Sequence, residues 1–469
     1  MRAWASFCAF SVTLVCGIAA APLRTSAAPT EAPNIVVIMS DDQPYYSVEE
    51  MPYVSSLDGL EPLDVLYDNV ALCCPARATF LTGLYSHHTG VESNLDGDRF
   101  NPSDTLATWL NDGGYETGMF GKYFLTYPFG QGDGGVPPGW DRWVAFGRGH
   151  PDYYDYNLNF DGVSRQFGDG IRDYSTDVLA RKAKDFVEAA PEPFFALVTP
   201  FGPHATPPGP NASRSATDLP ATPASRHAGA YRNTPFPLRP NFGLAAQGAP
   251  RFYKRLPAPS LRDEQTVWRR QMETLQSVDD LVETVVTEAD QRQRETIVVY
   301  LSDNGYSLGS HRWPTKVCGY EECGRLPGLI RSPGSPSGLQ ASIADLAPTL
   351  AEFAGVPRSA TDGASLLPHL SGEAQDPDRA LLIRRLQPRR NRKGDDLPSF
   401  WGLRTQRWKY LRHGSAAGAE GESGRPEELY DLEADPFELQ NLAEEPSYAA
   451  TLREFRTRLK VLRSEPPDR

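Results

Sequence analysis

Two pairs of oxygen-bearing side chains follow apolar runs that have the composition of buried strands. Asp41 and Asp42 come one residue after the run 34–39. Asp303 and Asn304 follow a second run of the same kind. Because ligands gather at the carboxyl ends of parallel strands, both pairs could converge on one site, where four hard oxygen ligands would suit Ca²⁺, or Mg²⁺, rather than zinc. Each pair taken singly also fits a loop cap or an ordinary turn.

The segment ALCCPARATFLTG, residues 71–83, is the strongest local signal for a reactive site. Pro75 is typical of the first turn of a helix, which would place Cys73 at a helix N-terminus beside Arg77. The helix dipole and the arginine would both favour a nucleophile or a bound anion there. A buried or disulfide-bonded pair of Cys73 and Cys74 fits the local pattern equally well.

The scaffold for these candidates is predicted by short apolar runs that alternate with helical patterns. The runs are 34–39, 116–120, 194–198 and 296–301, and the helical patterns are 106–112, 176–189, 263–288 and 344–354. This alternation predicts an α/β fold with a large, mostly parallel (mixed) sheet sandwiched by helices. The stretch 207–259, rich in Pro, Ala, Ser and Asn, predicts a long surface excursion that faces substrate.

The pattern changes after residue 370. Short alternating segments at 401–411 and 428–432, then a helical pattern at 448–462, predict a smaller C-terminal α+β domain with an antiparallel sheet. The basic cluster between Arg384 and Lys393 is typical of a solvated face. We therefore divide the chain into a signal peptide at 1–28, a catalytic domain at 29–370 and a C-terminal domain at 371–469.

The composition narrows the class of protein. The 469 residues include 47 Lys and Arg against 60 Asp and Glu, so the formal net charge is −13. This acidic balance argues against nucleic acid as the partner, because phosphate binding needs a basic surface. Apolar residues make up 40%, which is enough for a large core and too many for a disordered chain.

The start of the chain predicts export. Arg2, an apolar run at 7–21 and small residues up to Ala28 form the pattern of a secretory signal peptide. No later apolar stretch approaches the ~20 residues of a membrane span. We expect a secreted or extracytoplasmic protein, periplasmic or in a lysosome-like compartment according to the host. The cysteines beyond residue 28 are too few for a disulfide scaffold, but Cys318 and Cys323 are close enough to close a small loop.

The segment around Cys73 resembles the signature of the sulfatase family, C-x-P-(S/A)-R-x-x-x-L-T-G. It appears here as Cys73-Cys74-Pro75-Ala76-Arg77 followed by Leu81-Thr82-Gly83. Further family motifs occur in order along the chain: Asp41-Asp42, Gly121-Lys122, Pro203-His204, Asp303-Asn304-Gly305, Gly309-Ser310-His311, Lys316 and Glu428-Leu429-Tyr430-Asp431-Leu432. Several ordered motifs in one chain are far more specific than any one of them.

The resemblance implies an alkaline-phosphatase-like fold and a hydrolase of sulfate monoesters. In that family a maturation enzyme oxidises the first cysteine of the signature, here Cys73, to formylglycine, whose hydrate is the nucleophile. The resemblance assigns the divalent cation, usually calcium, to Asp41, Asp42, Asp303 and Asn304. By the same resemblance, Arg77 would hold the formylglycine hydrate. Lys122, His204 and Lys316 would bind the sulfate oxygens or act on the leaving group, and His311 would contact the substrate.

Several stretches look most like the N-acetylglucosamine-6-sulfatase branch, which implies a sulfated carbohydrate, or else an aryl sulfate, as substrate. Among them are Cys73-Cys74, Gly121-Lys122-Tyr123, Gly139-Trp140 and Tyr153-Tyr154-Asp155-Tyr156. These last tyrosines could stack on a sugar face or pack in the core. The sequence departs from the family at two places. Many sulfatases carry a histidine shortly after the lysine that corresponds to Lys122, where this chain has Tyr123-Phe124-Leu125. Relatives often have a histidine after the Asp-Asn-Gly-Tyr segment, where this chain has Ser307.

Other functions stay open at this point. Relatives on the same fold cleave aryl sulfates or phosphate and phosphonate monoesters, some with the same formylglycine, and fold alone does not fix function. A catalytically silent secreted binding protein would keep Cys73 as a thiol or pair it with Cys74. Calcium-dependent stabilisation, together with turnover of aryl sulfate against aryl phosphate, separates these functions.

Overall fold

The computed structural model describes residues 31–129, 135–147, 151–206, 219–386, 389–390, 396–414 and 424–467. The predicted signal peptide lies outside these residues, as does the stretch 207–218 of the predicted surface excursion. Within the described ranges no helix has both the length and the apolar character needed to cross a membrane.

The secondary structure follows the predicted alternation. The strands are β1 Asn34–Ser40, β2 Glu61–Pro62, β3 Val65–Tyr67, β4 Glu116–Gly121, β5 Arg142–Phe146, β6 Asn157–Phe160, β7 Val163–Gln166, β8 Phe194–Thr199, β9 Thr296–Ser302, β10 Arg325–Leu326, β11 Gly328–Arg331, β12 Gln340–Ser342, β13 Leu381–Arg385, β14 Arg389–Arg390, β15 Asp396–Leu397, β16 Ser399–Arg404, β17 Trp408–Gly414 and β18 Glu427–Asp431. The helices are α1 Pro52–Ser56, α2 Cys73–Thr82, α3 Ser86–Thr89, α4 Leu106–Asp112, α5 Ser175–Ala189, α6 Arg251–Lys254, α7 Leu261–Ala289, α8 Glu321–Gly324, α9 Leu346–Ala354, α10 Leu367–Leu370 and α11 Ala449–Ser464.

The large sheet has its strands in the order β2-β11-β9-β1-β8-β4-β5-β6-β7. Its centre, from β9 to β5, is parallel, and antiparallel strands extend it on both sides. At the middle of β1, Val37 lies between Val299 of β9 and Leu197 of β8. Every residue of these three strands is buried, which explains why they are continuous apolar runs in the sequence.

Helices cover both faces of this sheet. Alternate side chains of a strand point to opposite faces. Ile35 and Val37 pack in a core that also contains side chains of α2, α4 and α9. Val36 and Ile38 pack in a second core, against α5 and α7. The predicted α/β sandwich with a mixed, mostly parallel sheet is confirmed.

A smaller sheet, with the strand order β13-β16-β17-β18, is antiparallel throughout. α11 packs on it through Leu452, Phe455 and Leu459, which share a core with Leu403 and Leu429. The prediction of a small C-terminal domain with an antiparallel sheet is therefore confirmed as well.

The basic cluster is not a solvated face at its first two positions. Arg384 and Arg385, at the end of β13, are each 3% exposed. The Arg384 guanidinium lies 4.0 Å from the centre of the Trp401 ring, and its Nη2 donates to Glu92 Oε1 at 3.0 Å. Arg385 lies over the ring of Trp313. A ring contact covers each arginine, and Arg384 also pairs with a distant segment, so the prediction is wrong for both.

Candidate active site

The two pairs of candidate ligands meet because their strands are neighbours. β1 and β9 are parallel and paired along their whole length, so the loops that follow them leave the sheet side by side. The backbone N–H of Asp42 donates to Asp303 Oδ1 at 3.3 Å, and Asn304 Nδ2 donates to Asp42 Oδ1 at 2.7 Å. Asp41 completes the group, and all four residues are buried. The structure thus brings together the four predicted cation ligands.

Cys73 is the first residue of α2, and its Sγ lies against this group. Sγ is 3.5 Å from Asp41 Oδ1 and 2.9 Å from Lys316 Nζ. The helix begins two residues before Pro75, which fits the first turn because the N–H groups there have no intrahelical partner. The predicted helix N-terminus at Cys73 is confirmed. Cys73 and Cys74 form no disulfide in the structure.

Arg77, one turn further along α2, ties the helix to the loops. Its Nε and Nη2 donate to Asp303 Oδ2 at 3.0 and 2.8 Å, and its Nη1 donates to the Lys122 carbonyl oxygen at 2.6 Å. Nη2 also lies 3.6 Å from Asp41 Oδ2. Because the guanidinium is buried, these are strong charge-assisted contacts that hold the helix bearing Cys73 against the acidic loops.

Lys122 and Lys316 bring two ammonium groups to the carboxylates. Lys122, which follows β4, pairs with Asp41, and Lys316 pairs with Asp42. Burial by itself would raise the pKa of both carboxyls. The ammonium groups, with His204, outweigh burial and hold the pKa of Asp41 and Asp42 below the usual range. The carboxylates in turn raise the pKa of both lysines against the effect of burial. All four groups are therefore charged at neutral pH.

His204 lies at the open side of the site, with 14% of its side chain exposed. Its Nε2 is 3.5 Å from Asp42 Oδ2, and its Nδ1 is 2.7 Å from the Ala205 carbonyl oxygen. The ring stacks on Phe201 at 4.8 Å between centroids. The Tyr153 hydroxyl donates to the His204 carbonyl oxygen at 2.6 Å. Tyr153 is fully buried and packs in the core. Its hydrogen bond supports the backbone of His204, and no sequence pattern indicates this contact.

His311 lies in a different cluster. Its ring stacks on Tyr320 at 3.7 Å between centroids, and its Nε2 is 3.0 Å from Asn241 Nδ2. It also lies near Glu322 and Glu438, and burial lowers its pKa. The structure therefore does not bring His311 together with Cys73 and the acidic loops.

The oxygen ligands fit a hard divalent cation. Asn304 Oδ1 is buried and has no hydrogen-bond partner within the described ranges, whereas its Nδ2 has two acceptors. Buried amide oxygens nearly always have a partner, so this atom is suited to a ligand. Asp41 and Asp42 offer ligand atoms within 4.8 Å of those of Cys73 and His204. Carboxylate and amide oxygens are the donors that Ca²⁺ prefers.

The thiol of Cys73 is not activated by these surroundings. A helix N-terminus and nearby cations favour a thiolate. Here burial, and after it the Asp41 carboxylate, raise the pKa of Cys73 well above its usual value despite the two lysines. The unmodified side chain is therefore a neutral thiol at neutral pH.

The loop closure suggested by the spacing of Cys318 and Cys323 is present. The two residues form a disulfide with their Cα atoms 5.5 Å apart. Both are buried, two and seven residues after Lys316.

Comparison with known proteins gives consistent matches along the chain. The family model described as Sulfatase matches residues 33–356. The model described as N-sulphoglucosamine sulphohydrolase, C-terminal, matches residues 309–465. Two similar curated proteins are the N-acetylglucosamine-6-sulfatases of Capra hircus and Homo sapiens, each 32% identical. These matches cover 72% and 74% of this chain and 64% and 66% of the relatives, so the chain spans about two thirds of their length.

A solved structure resembles the whole described fold. It is a protein in complex with its substrate D-glucosamine-2-N,6-O-disulfate, 25% identical to this chain, with a TM-score of 0.75. The likeness covers 93% of this chain and 99% of the other. The alkaline-phosphatase-like fold that the motifs imply is thereby confirmed.

Proposed function

Because this chain belongs to the sulfatase family, we propose that it hydrolyses sulfate monoesters of sulfated sugars, N-acetylglucosamine 6-sulfate among them. The observation that carries the proposal is the placement of Cys73 between Asp41 and Lys316, at 3.5 and 2.9 Å, on the helix that bears Arg77. The sugar and the position of its sulfate rest on the named relatives and on the substrate of the similar solved structure.

Cys73 is, in this proposal, converted to formylglycine by a maturation enzyme. When formed, the hydrated aldehyde supplies one hydroxyl that attacks sulfur and a second whose loss of a proton releases sulfate. The neutral, buried thiol could supply neither. Asp41, with Oδ1 3.5 Å from Cys73 Sγ, is placed to accept a proton from the attacking group. The hydrogen bonds of Arg77 to Asp303 keep this helix end fixed on the acidic loops.

A sulfate monoester is an anion and resists attack by another anion. Lys122 and Lys316 lie beside the attack site as charged ammonium groups, so they can neutralise the nonbridging oxygens as the S–O bond breaks. Asp41, Asp42, Asp303 and Asn304 would hold the cation, calcium in our proposal, which supplies further positive charge to the same oxygens when bound. A low-dielectric, buried site strengthens each of these interactions.

His204 is proposed as the general acid for the leaving oxygen. For this role the ring acts as an imidazolium: Nδ1 donates to the Ala205 carbonyl oxygen, and Nε2, 3.5 Å from Asp42 Oδ2, carries the proton that passes to the leaving oxygen. Its partial exposure supports this role, because the departing alcohol must reach solvent. His311 takes no part in these steps.

We also propose that the protein acts outside the cytoplasm. Its buried Cys318–Cys323 disulfide is the kind of bond that persists in an oxidising compartment. This agrees with the signal peptide that the first 28 residues predict.

The proposal is tested by turnover on three substrates: N-acetylglucosamine 6-sulfate, nitrophenyl sulfate and nitrophenyl phosphate, each with calcium or with chelator. We expect calcium-dependent release of sulfate from the first two and little release of phosphate. A clear preference for the phosphate ester would assign a phosphoesterase on the same fold. Binding of calcium without turnover of any ester, by protein purified from its native host, would assign a silent binding protein.

A further inference from the structure

Lys316 lies in an irregular segment whose backbone takes unfavourable conformations. Val317, directly after it, has a φ of 70°, and Leu308, His311 and Arg312 have φ values of 49°, 52° and 61°. The left-handed region is rarely adopted by residues with a Cβ, and least of all by β-branched residues such as valine. Such conformations persist only where the surrounding structure holds them. The position of the Lys316 ammonium therefore depends on contacts that hold this segment.

On the N-terminal side of Lys316, two hydrogen bonds provide such contacts. The backbone N–H of Ser307 donates to the Thr315 carbonyl oxygen at 3.0 Å. The indole Nε1 of Trp313 donates to the Lys316 carbonyl oxygen at 2.8 Å. The first bond ties Thr315 to the chain three residues after Asn304, and the second closes the segment on itself, but neither holds the residues that follow Lys316.

On the C-terminal side, the disulfide joins Cys318 to Cys323, and Cys323 is fixed to the acidic turn. The Cys323 carbonyl oxygen accepts the N–H of Gly305 at 2.9 Å. A Cβ at Gly305 would lie 2.3 Å from the Glu322 carbonyl oxygen and 3.0 Å from that of Cys323. The turn that carries Asp303 and Asn304 thus packs directly on the backbone at Cys323.

We propose that the Cys318–Cys323 disulfide is a positioning element of the sulfate site. It sets the Lys316 ammonium against Cys73 and Asp42 by tying Val317 and Cys318 to the backbone on which the Asp303–Asn304 turn rests. The inference deepens the proposed function and rests on it. Because both sulfurs belong to buried residues, this bond holds an interior segment and is shielded from solvent.

The test removes the disulfide with the double substitution Cys318→Ala and Cys323→Ala, in the wild type and in the Lys316→Ala background. Rates on nitrophenyl sulfate are expressed per chain with converted Cys73, counted by mass spectrometry. We expect a loss of kcat of about 10²-fold in the wild-type background, as for a small misplacement of a catalytic group. In the Lys316→Ala background we expect no further loss, because the group being positioned is absent. Equal losses in both backgrounds would overturn the inference.

Two further variants separate positioning from stability. Leu459→Ala opens a cavity in the distant C-terminal core and should lower the unfolding midpoint while leaving kcat unchanged. Val317→Gly, added to the chain without the disulfide, should restore part of kcat, because glycine takes a positive φ without cost. A loss of kcat in Leu459→Ala as large as that without the disulfide, or no restoration by Val317→Gly, would overturn the inference.

Binding of inorganic sulfate, measured by calorimetry, does not depend on turnover. The Kd should rise by the same factor in Lys316→Ala and in the chain without the disulfide, and remain unchanged in Leu459→Ala. If the wild type cleaved no sulfate ester, the proposed function would fail while these Kd values still decided the positioning role. Should the double alanine variant not fold, Cys318→Ser with Cys323→Ser, in the wild type and in the Lys316→Ala background, gives the same comparison, and an unchanged Kd in the wild-type background would overturn the inference.

Discussion

Replacing His204 tests which group protonates the leaving oxygen. In His204→Asn the shorter amide keeps a donor near the Ala205 carbonyl oxygen, where Nδ1 now lies at 2.7 Å, and removes Nε2, which lies 3.5 Å from Asp42. A sugar alkoxide needs a proton in order to leave, whereas a nitrophenolate leaves without one. The variant should therefore lose far more turnover on N-acetylglucosamine 6-sulfate than on nitrophenyl sulfate.

The size of the effect follows from the role and the surroundings of His204. A positioned general acid contributes about 10²–10⁴-fold, which is about 2.7–5.5 kcal/mol of activation free energy. The ring makes one hydrogen bond to the backbone and is partly exposed. Replacing the ring should therefore cost only about 0.5–1.5 kcal/mol of folding free energy. The variant should therefore stay folded, and the change in rate should exceed the change in stability.

The assay is kcat/KM on both substrates, with rates expressed per converted Cys73. Tyr153→Phe is the matched control, because it removes only the hydroxyl that donates to the His204 carbonyl oxygen. In Tyr153→Phe the loss of kcat/KM should be smaller than in His204→Asn, and again greater on N-acetylglucosamine 6-sulfate than on nitrophenyl sulfate. An equal fold-loss on both substrates in His204→Asn would refute the role as general acid.

Three further predictions concern the cation, Arg77 and the C-terminal sheet. Ca²⁺ at a hundredfold excess over its Kd should add about 2.7 kcal/mol to the free energy of unfolding measured by calorimetry. The added stability should be smaller in Asn304→Leu. A wild type whose free energy of unfolding did not change with Ca²⁺ would contradict the assigned cation site. Arg77→Lys keeps the positive charge but loses the pair of hydrogen bonds from Nε and Nη2 to Asp303. The value of kcat/KM per converted chain should therefore fall about 10²–10³-fold, and an unchanged value would argue against a role of Arg77 in holding the nucleophile. Glu428 is buried, but hydrogen bonds, first that with His413, hold its pKa below the usual range. This contribution is present above the usual carboxyl pKa and is lost as pH falls through the lowered value. Denaturant unfolding should therefore find Glu428→Gln less stable by about 1–3 kcal/mol at neutral pH, with the gap closing in acid; a gap independent of pH would contradict this.

The convergence of the acidic loops could be predicted because it follows from local signals. Buried parallel strands have continuous apolar sequences, and the polar residues after each strand share one edge of the sheet. Asp41 and Asp303 therefore meet once β1 and β9 are neighbours. The start of α2 at Cys73 is equally local, since Pro75 and the small residues around it favour a helix.

Contacts between distant segments could not be predicted in this way. The hydroxyl of Tyr153 reaches a backbone oxygen 51 residues away, and the sequence pattern offered sugar stacking or core packing for that ring without a link to His204. Arg384 is buried by Trp401 and by Glu92 from another part of the chain, against the expectation for a basic cluster. The His311 ring stacks on that of Tyr320, which the fold brings beside it. Pairings of this kind depend on the tertiary structure and leave no periodic signal in the sequence.

The central claim is that Cys73 becomes the nucleophile, and the mass of the peptide that contains it tests this most directly. The protein would be purified from its native host, digested and treated with a hydrazide. The account predicts the mass change for conversion of the sulfhydryl to a carbonyl at Cys73, together with a hydrazide adduct on that peptide. A free thiol at Cys73, or a disulfide between Cys73 and Cys74, would contradict the account and favour a silent binding protein.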